Sequence, residues 1–143
     1  MKKLYIKRGD KSIDLPKYAH KGDAGFDLRA AEDILIKVGE KVMIPTGLQI
    51  LIPEGCVAII WDRSGLAARN SLHCLAGVID SHYRGETKVI MINLGKEDFQ
   101  VEKGMRIAQM LIQNYEHVDI KEIEEISEDT ERASGGFGST GLH

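Results

Sequence analysis

The chain reads as a series of short apolar runs, each closed by a turn signal. Leu48-Gln49-Ile50-Leu51-Ile52 ends at Pro53-Glu54-Gly55, and Cys56-Val57-Ala58-Ile59-Ile60-Trp61 follows at once. Thr87 to Asn93 stops before Gly95, and Met105 to Gln113 begins behind Lys103-Gly104. Two shorter runs, Ile34-Leu35-Ile36 and Val42-Met43-Ile44, are split by Gly39-Glu40. Runs of this kind, rich in β-branched residues and punctuated about every 8–12 residues, predict strands of a sandwich or barrel. Several are apolar on both faces. One face would fill the sandwich, and the other should meet another element or another subunit.

One stretch breaks the pattern. Ser64-Gly65-Leu66-Ala67-Ala68-Arg69-Asn70 offers a capping serine, helix formers and a terminal asparagine, and predicts a helix of one or two turns. Val118 to Ile126 is ambiguous: its early alternation favours an edge strand, and its Glu-rich end suits a helix. From Ser127 to His143 the chain changes character and carries one bulky ring, Phe137. Such a segment cannot bury enough surface to order itself. Two readings are open, a disordered tail or an arm that orders over a ligand. The division is therefore a body over residues 1–126 and an arm over 127–143.

Composition narrows the class. The chain has 143 residues, the size of one domain, and needs no disulfide or metal to hold a core. Its net charge of −3 gives no broad basic surface for duplex nucleic acid. Cys56 and Cys74 fit neither a CxxC pair nor a zinc ribbon, and read as reduced, buried thiols of a cytoplasmic protein. His73, Cys74 and His82 would need a fourth ligand to make a metal centre, and none is in view. The N-terminus is basic but lacks the apolar stretch of a signal peptide, and no run reaches the ~18 residues of a membrane span.

Two segments could hold phosphate, although no P-loop run exists. Arg63-Ser64-Gly65 opens the short helix, where free N–H groups and an arginine favour an anion; an ordinary helix start beside a surface arginine is the plainer reading. In the tail, Gly135, Gly136, Gly138 and Gly141 free the backbone to curl around an oxyanion, with hydroxyls from Ser139 and Thr140. Between two strand-like runs, Gly77 to Glu86 reads as a β-hairpin. Asp80 there ends an apolar run, where partial desolvation would suit a general base; a turn aspartate is the alternative. Tyr83 is either a stacking platform or a core residue.

Together and in this order, five segments resemble the five motifs of the trimeric dUTP pyrophosphatases. They are Ala24-Gly25-Phe26-Asp27-Leu28-Arg29-Ala30, Arg63-Ser64-Gly65-Leu66-Ala67, Gly77 through Glu86, Gly104-Met105-Arg106-Ile107-Ala108-Gln109, and Arg132 to Gly141. The resemblance implies an all-β jelly-roll subunit and a homotrimer with three sites between subunits, each completed by a C-terminal arm. It implies hydrolysis of dUTP to dUMP and pyrophosphate, keeping uracil out of DNA and supplying dUMP for thymidylate synthesis. Asp80 would activate the water that attacks the α-phosphorus. Tyr83 would pack under the deoxyribose and exclude a 2′-hydroxyl. The backbone around Cys74, Val78 and Ile79 would pair with uracil, with Lys88 nearby. Arg63, Ser64, Gly65 and Gln109 would hold phosphates, and Arg132 would reach the γ-phosphate. Phe137 would stack on uracil, while Gly138, Ser139 and Thr140 would bind phosphate oxygens. Asp27 would be structural or bound to the metal's water shell. Mg²⁺ would be held by substrate phosphates and water, with no protein ligand cluster. No nucleic-acid or membrane partner is implied.

The chain departs from the family pattern at four places. Asp62 stands where proline is usual and sets a carboxylate beside Arg63. His82 replaces a common acidic residue, Cys74 a common asparagine, and Ala133 a usual glycine. Two rivals share the scaffold. The related dCTP deaminases usually carry a second serine where this chain has Gly65. A regulator acting by contact would not need Asp80, Tyr83 and the arm, all of which are present.

Overall fold

A computed structural model describes residues 2–141. Residues 142 and 143 of the expected arm therefore lie outside the described residues, as does residue 1. Among the described residues the chain forms ten strands and one short helix. One sheet has the order β1(Tyr5–Arg8), β4(Lys41–Leu51), β8(Glu86–Asn93), β6(Leu72–Leu75). The second has β2(Gly25–Arg29), β10(Arg106–Asn114), β5(Cys56–Asp62), β7(Val78–Ile79). A two-stranded ribbon, β3(Ile34–Ile36) and β9(Phe99–Val101), completes the all-β architecture with α1(Ser64–Asn70).

All of the pairings are antiparallel, and alternate residues of each main sheet face one core. Leu28, Ile36, Ile44, Leu48, Leu72, Met91, Ile107 and Met110 are among its fully buried side chains. The outward faces stay partly apolar, with Met43, Trp61 and Val78 exposed.

Two sequence expectations change here. The runs 42–44 and 48–52 join in one bulged strand, β4, which ends at Leu51 and whose pairing with β8 slips between Pro45 and Leu48. Pro45 cannot donate to a ladder, so the bulge is where it can sit. Gly47 takes a positive φ of 68° there, and its N–H reaches Glu86 Oε1 at 2.9 Å. Residues 118–126 form neither edge strand nor helix. They run without a ladder partner, and Ile120 is 90% exposed. Val118, Ile123 and Ile126 are exposed as well.

The expected hairpin at Gly77–Glu86 is also rebuilt. β6 and β8 pair with each other, and the segment between them makes a long loop. The first part of that loop, β7, crosses to the other sheet and pairs with β5 through Val78↔Ile59 and Ile79↔Ala58. Gly77 makes the crossing possible. Its φ is +115°, and a Cβ there would lie 2.7 Å from Ile60 O, which is backbone and cannot yield. Its own carbonyl accepts the Ile60 N–H at 2.9 Å. Gly77→Ala should therefore lose roughly 2 kcal/mol or more, lowering Tm by several degrees in a thermal melt. An unchanged Tm would mean that β7 does not need this crossing.

Candidate functional site

The helix α1 starts where β5 ends. Arg63 is its N-cap and makes no side-chain capping bond, so the first N–H groups of the helix are not taken by their own cap. Ser64 is thus the first helical residue rather than the cap. Arg63 Nε donates to Asp27 Oδ1 at 2.9 Å, and Arg106 Nη1 approaches Asp27 Oδ2 at 3.4 Å. The carboxylate that engages Arg63 is therefore Asp27, not its neighbour Asp62. Gln109 on β10 crosses to β5 and donates to Asp62 O at 2.8 Å. It fits because position 25 is glycine, where a Cβ would lie 2.6 Å from Gln109 Oε1. Arg63, Ser64, Gly65 and Gln109 share a cleft of about 570 Å³ with Asp23, Asp27, Asp62 and Arg69.

Asp62 turns the other way. Its Oδ2 meets His73 Nδ1 at 2.6 Å, and its Oδ1 accepts the Cys74 N–H. Burial raises this carboxyl, but the bonds from His73 and from the Cys74 N–H outweigh burial and leave it below the usual carboxylate range. A carboxyl depressed in the folded state contributes stability above its unfolded pKa and loses it as pH falls through the folded value. The Tm advantage of wild type over Asp62→Asn should therefore be full at neutral pH and shrink below about pH 3.8. A melt series from pH 7 to pH 2 reads this directly. An advantage that did not shrink in acid would contradict the assignment.

Cys74 is buried, and burial together with the Asp62 carboxylate pushes its thiol up to about 12. Its side chain faces the core, while that of His73 faces out, the opposed placement of strand neighbours. The Cys74 N–H is taken by Asp62, and Cys74 does not line the cleft at Arg63. Cys56 and Cys74 are both free thiols.

The β7 loop builds a second cleft of about 270 Å³, lined by Met43, Val78, Ile79, Asp80, Tyr83, Glu86, Thr87, Lys88 and Ile90. Asp80 is exposed, not desolvated, in the single chain, and its carbonyl accepts the Tyr83 N–H at 3.1 Å. Tyr83 folds back over Gly85, where a Cβ would strike its ring and hydroxyl, and donates from Oη to Glu86 O at 3.0 Å. Arg84 Nη1 bonds Ser81 O at 2.6 Å, closing the loop on itself. His82 points away, into a neighbouring groove with Arg84 and Tyr5.

The two clefts share no lining residue. β7 runs antiparallel to β5, so the chain leads Asp80 away from the Arg63 end of that strand. About five strand residues, or roughly 17 Å, separate the two ends. The remaining expected residues, Arg132, Phe137, Gly138, Ser139 and Thr140, lie in the exposed segment after residue 126. The hydrogen bonds of that segment are local, such as Arg132 Nε to Gly135 O at 2.8 Å and Ser139 N–H to Gly136 O at 3.0 Å. Ala133 and Phe137 hold positive φ values of 41° and 48°, which explains why glycine suits position 133. Among the described residues, no group of three or more His, Cys, Asp or Glu is placed to hold a metal ion. No helix among them is long and apolar enough to cross a membrane.

Comparison with known proteins gives a consistent result. The dUTPase family model matches residues 11–141. The chain is 51% identical over 140 residues to the deoxyuridine 5'-triphosphate nucleotidohydrolase of Clostridium kluyveri, covering 96% of this chain and 97% of that one. It is 56% identical over 133 residues to the enzyme of the same name from Rickettsia bellii, covering 90% and 88%. Among solved structures, a substituted dUTPase of Staphylococcus bacteriophage 80alpha with dUpNHpp superposes with a TM-score of 0.92 at 28% identity, over 99% of this chain and 100% of that one. The dUTPase of the S. aureus phage phi11, in a form that reveals the coordination of a structural Mg(II) ion, superposes with a TM-score of 0.80 at 25% identity, over 87% and 98%.

Proposed function

Since this chain belongs to the dUTPase family, we propose that it hydrolyses dUTP to dUMP and pyrophosphate at sites built jointly by copies of the chain. The observation that carries the shared site is the division of the expected residues into two clefts with no common lining residue. A general base must come within hydrogen-bond reach of the water it activates, and the reacting atoms must lie about 3–3.5 Å apart. Asp80 meets the phosphate cleft most simply when that cleft belongs to another copy. The exposed Met43, Trp61 and Val78 would be covered in the same step. A homotrimer with three equivalent sites is the assembly that the family resemblance favours.

In this reading Asp80 takes a proton from water. The water oxygen bonds the α-phosphorus, the bond to the bridging oxygen breaks, and pyrophosphate leaves. The exposed Asp80 would gain its desolvation from the neighbouring copy and the arm. Val78, Ile79 and Lys88 border a slot for the uracil edge, and the Tyr83 ring, held down by Gly85, offers a flat face to deoxyribose. Cys74 acts on uracil only indirectly, through the β6 backbone that leads into the slot. Arg63, Ser64, Gly65 and Gln109 at the start of α1 receive phosphate oxygens. The arm brings Arg132, Phe137, Gly138, Ser139 and Thr140 over the bound nucleotide. Both Asp27 oxygens are engaged by arginines, so Mg²⁺ would be held through substrate phosphates and water rather than by this carboxylate directly. When bound, Mg²⁺ supplies charge neutralisation at those oxygens. The product would feed thymidylate synthesis in the cytoplasm while uracil is kept out of DNA.

Subunit mixing tests this reading. Asp80→Asn and Arg63→Ala, each inactive alone, are unfolded and refolded together. Activity should return, because some sites of mixed trimers then hold both intact clefts. A mixture as inactive as its parents would overturn the shared site.

A further inference from the structure

We propose that Arg69 is a guanidinium that meets the pyrophosphate end of the substrate, beside Arg63, whose Nε is already clamped by Asp27. This rests on the dUTP reading above and assigns a residue to its phosphate cleft.

The cleft is lined by three carboxylates and two arginines, so an entering triphosphate meets charge that is mostly already paired. Asp27 holds Arg63 at 2.9 Å, and Arg63 Nη1 also lies 3.4 Å from Arg106 O. Asp62 is bound to His73 at 2.6 Å, and Asp23 Oδ2 accepts the His20 N–H at 2.8 Å. Among the described residues, Arg69 is the lining cation with no ion pair or side-chain hydrogen bond.

Its position is also specific. Arg69 stands four residues after Gly65 on α1, so the two share one helix face. The guanidinium folds back along that face until Nη2 lies 2.7 Å from where a Gly65 Cβ would be. Glycine at position 65 therefore does two things: it bares the backbone of the first helical turn and leaves room for the Arg69 fork above it. An unpaired guanidinium with five donors, presented beside Ser64 and Gln109 in an open cleft, suits a bidentate grip on phosphate oxygens. Arg63 cannot offer its Nε in the same way without first releasing Asp27.

The test is calorimetric titration with magnesium pyrophosphate and, separately, with dUMP, on wild type, Arg69→Gln and Arg69→Lys. Arg69 is exposed and unpaired, so all three should share one Tm and one sedimentation coefficient. Arg69→Gln should weaken pyrophosphate binding roughly ten-fold or more and leave dUMP unchanged, with Arg69→Lys between. Pyrophosphate binding by Arg69→Gln equal to wild type would overturn the assignment. Failure of wild type to turn over dUTP would instead overturn the underlying reading, and the pyrophosphate titration would still decide the role of Arg69.

Discussion

Asp80→Asn should leave a protein that binds dUTP and hardly cleaves it. A positioned general base contributes about 10²–10⁴ in rate, so kcat should fall by that factor. Asparagine keeps the shape and the backbone bond from Tyr83 N–H to position 80, and removes only the capacity to take a proton. Asp80 is exposed and makes no side-chain hydrogen bond among the described residues, so Tm should not move. Binding of a non-hydrolysable dUTP analogue should also hold, which separates a lost base from a lost site. A kcat within ten-fold of wild type would remove Asp80 from the chemistry.

Truncation after Ile126 should produce a second large loss by a different route. Among the described residues, 127–141 make hydrogen bonds only with one another, and Phe137 is fully exposed. The body therefore owes them nothing, and the truncated chain should melt at the wild-type temperature. Over a bound nucleotide the same residues would supply Arg132, Ser139, Thr140 and the Phe137 ring. Charge-assisted hydrogen bonds contribute about 1.5–3 kcal/mol each, so losing two should lower kcat/KM by roughly 10²–10⁴. Steady-state kinetics on dUTP reads this. A truncated enzyme with wild-type kcat/KM would leave the glycine-rich segment as a mere tail.

The sequence carried most of the sandwich, because the strands that fill its centre are marked by their own composition. β8 and β10 are long apolar runs bounded by glycine, and the structure moves their ends by at most one residue. α1 was legible from Ser64 to Asn70. The strands β2 and β7 were not, since Gly25–Arg29 is short and mixed and Val78–Ile79 exists only because it pairs with β5. Pairing between distant segments leaves no local periodicity to read. The same limit applies to the site. The Asp62 carboxylate looked like a partner for adjacent Arg63, yet a strand sends neighbouring side chains to opposite faces, and Asp62 reaches His73 while Arg63 reaches Asp27. Arg69 was missed although its spacing from Gly65 is a helix repeat. The division of the expected residues between two clefts could be seen only once β7 had been placed on β5.

Selective hydrolysis of dUTP is decided by pyrophosphate release with Mg²⁺ from dUTP, dTTP, dCTP and UTP in parallel. Rapid release from dUTP alone is the result expected of a closed uracil slot and of a Tyr83 face that excludes a 2′-hydroxyl. Release from none of the four, or equally from all, would contradict it.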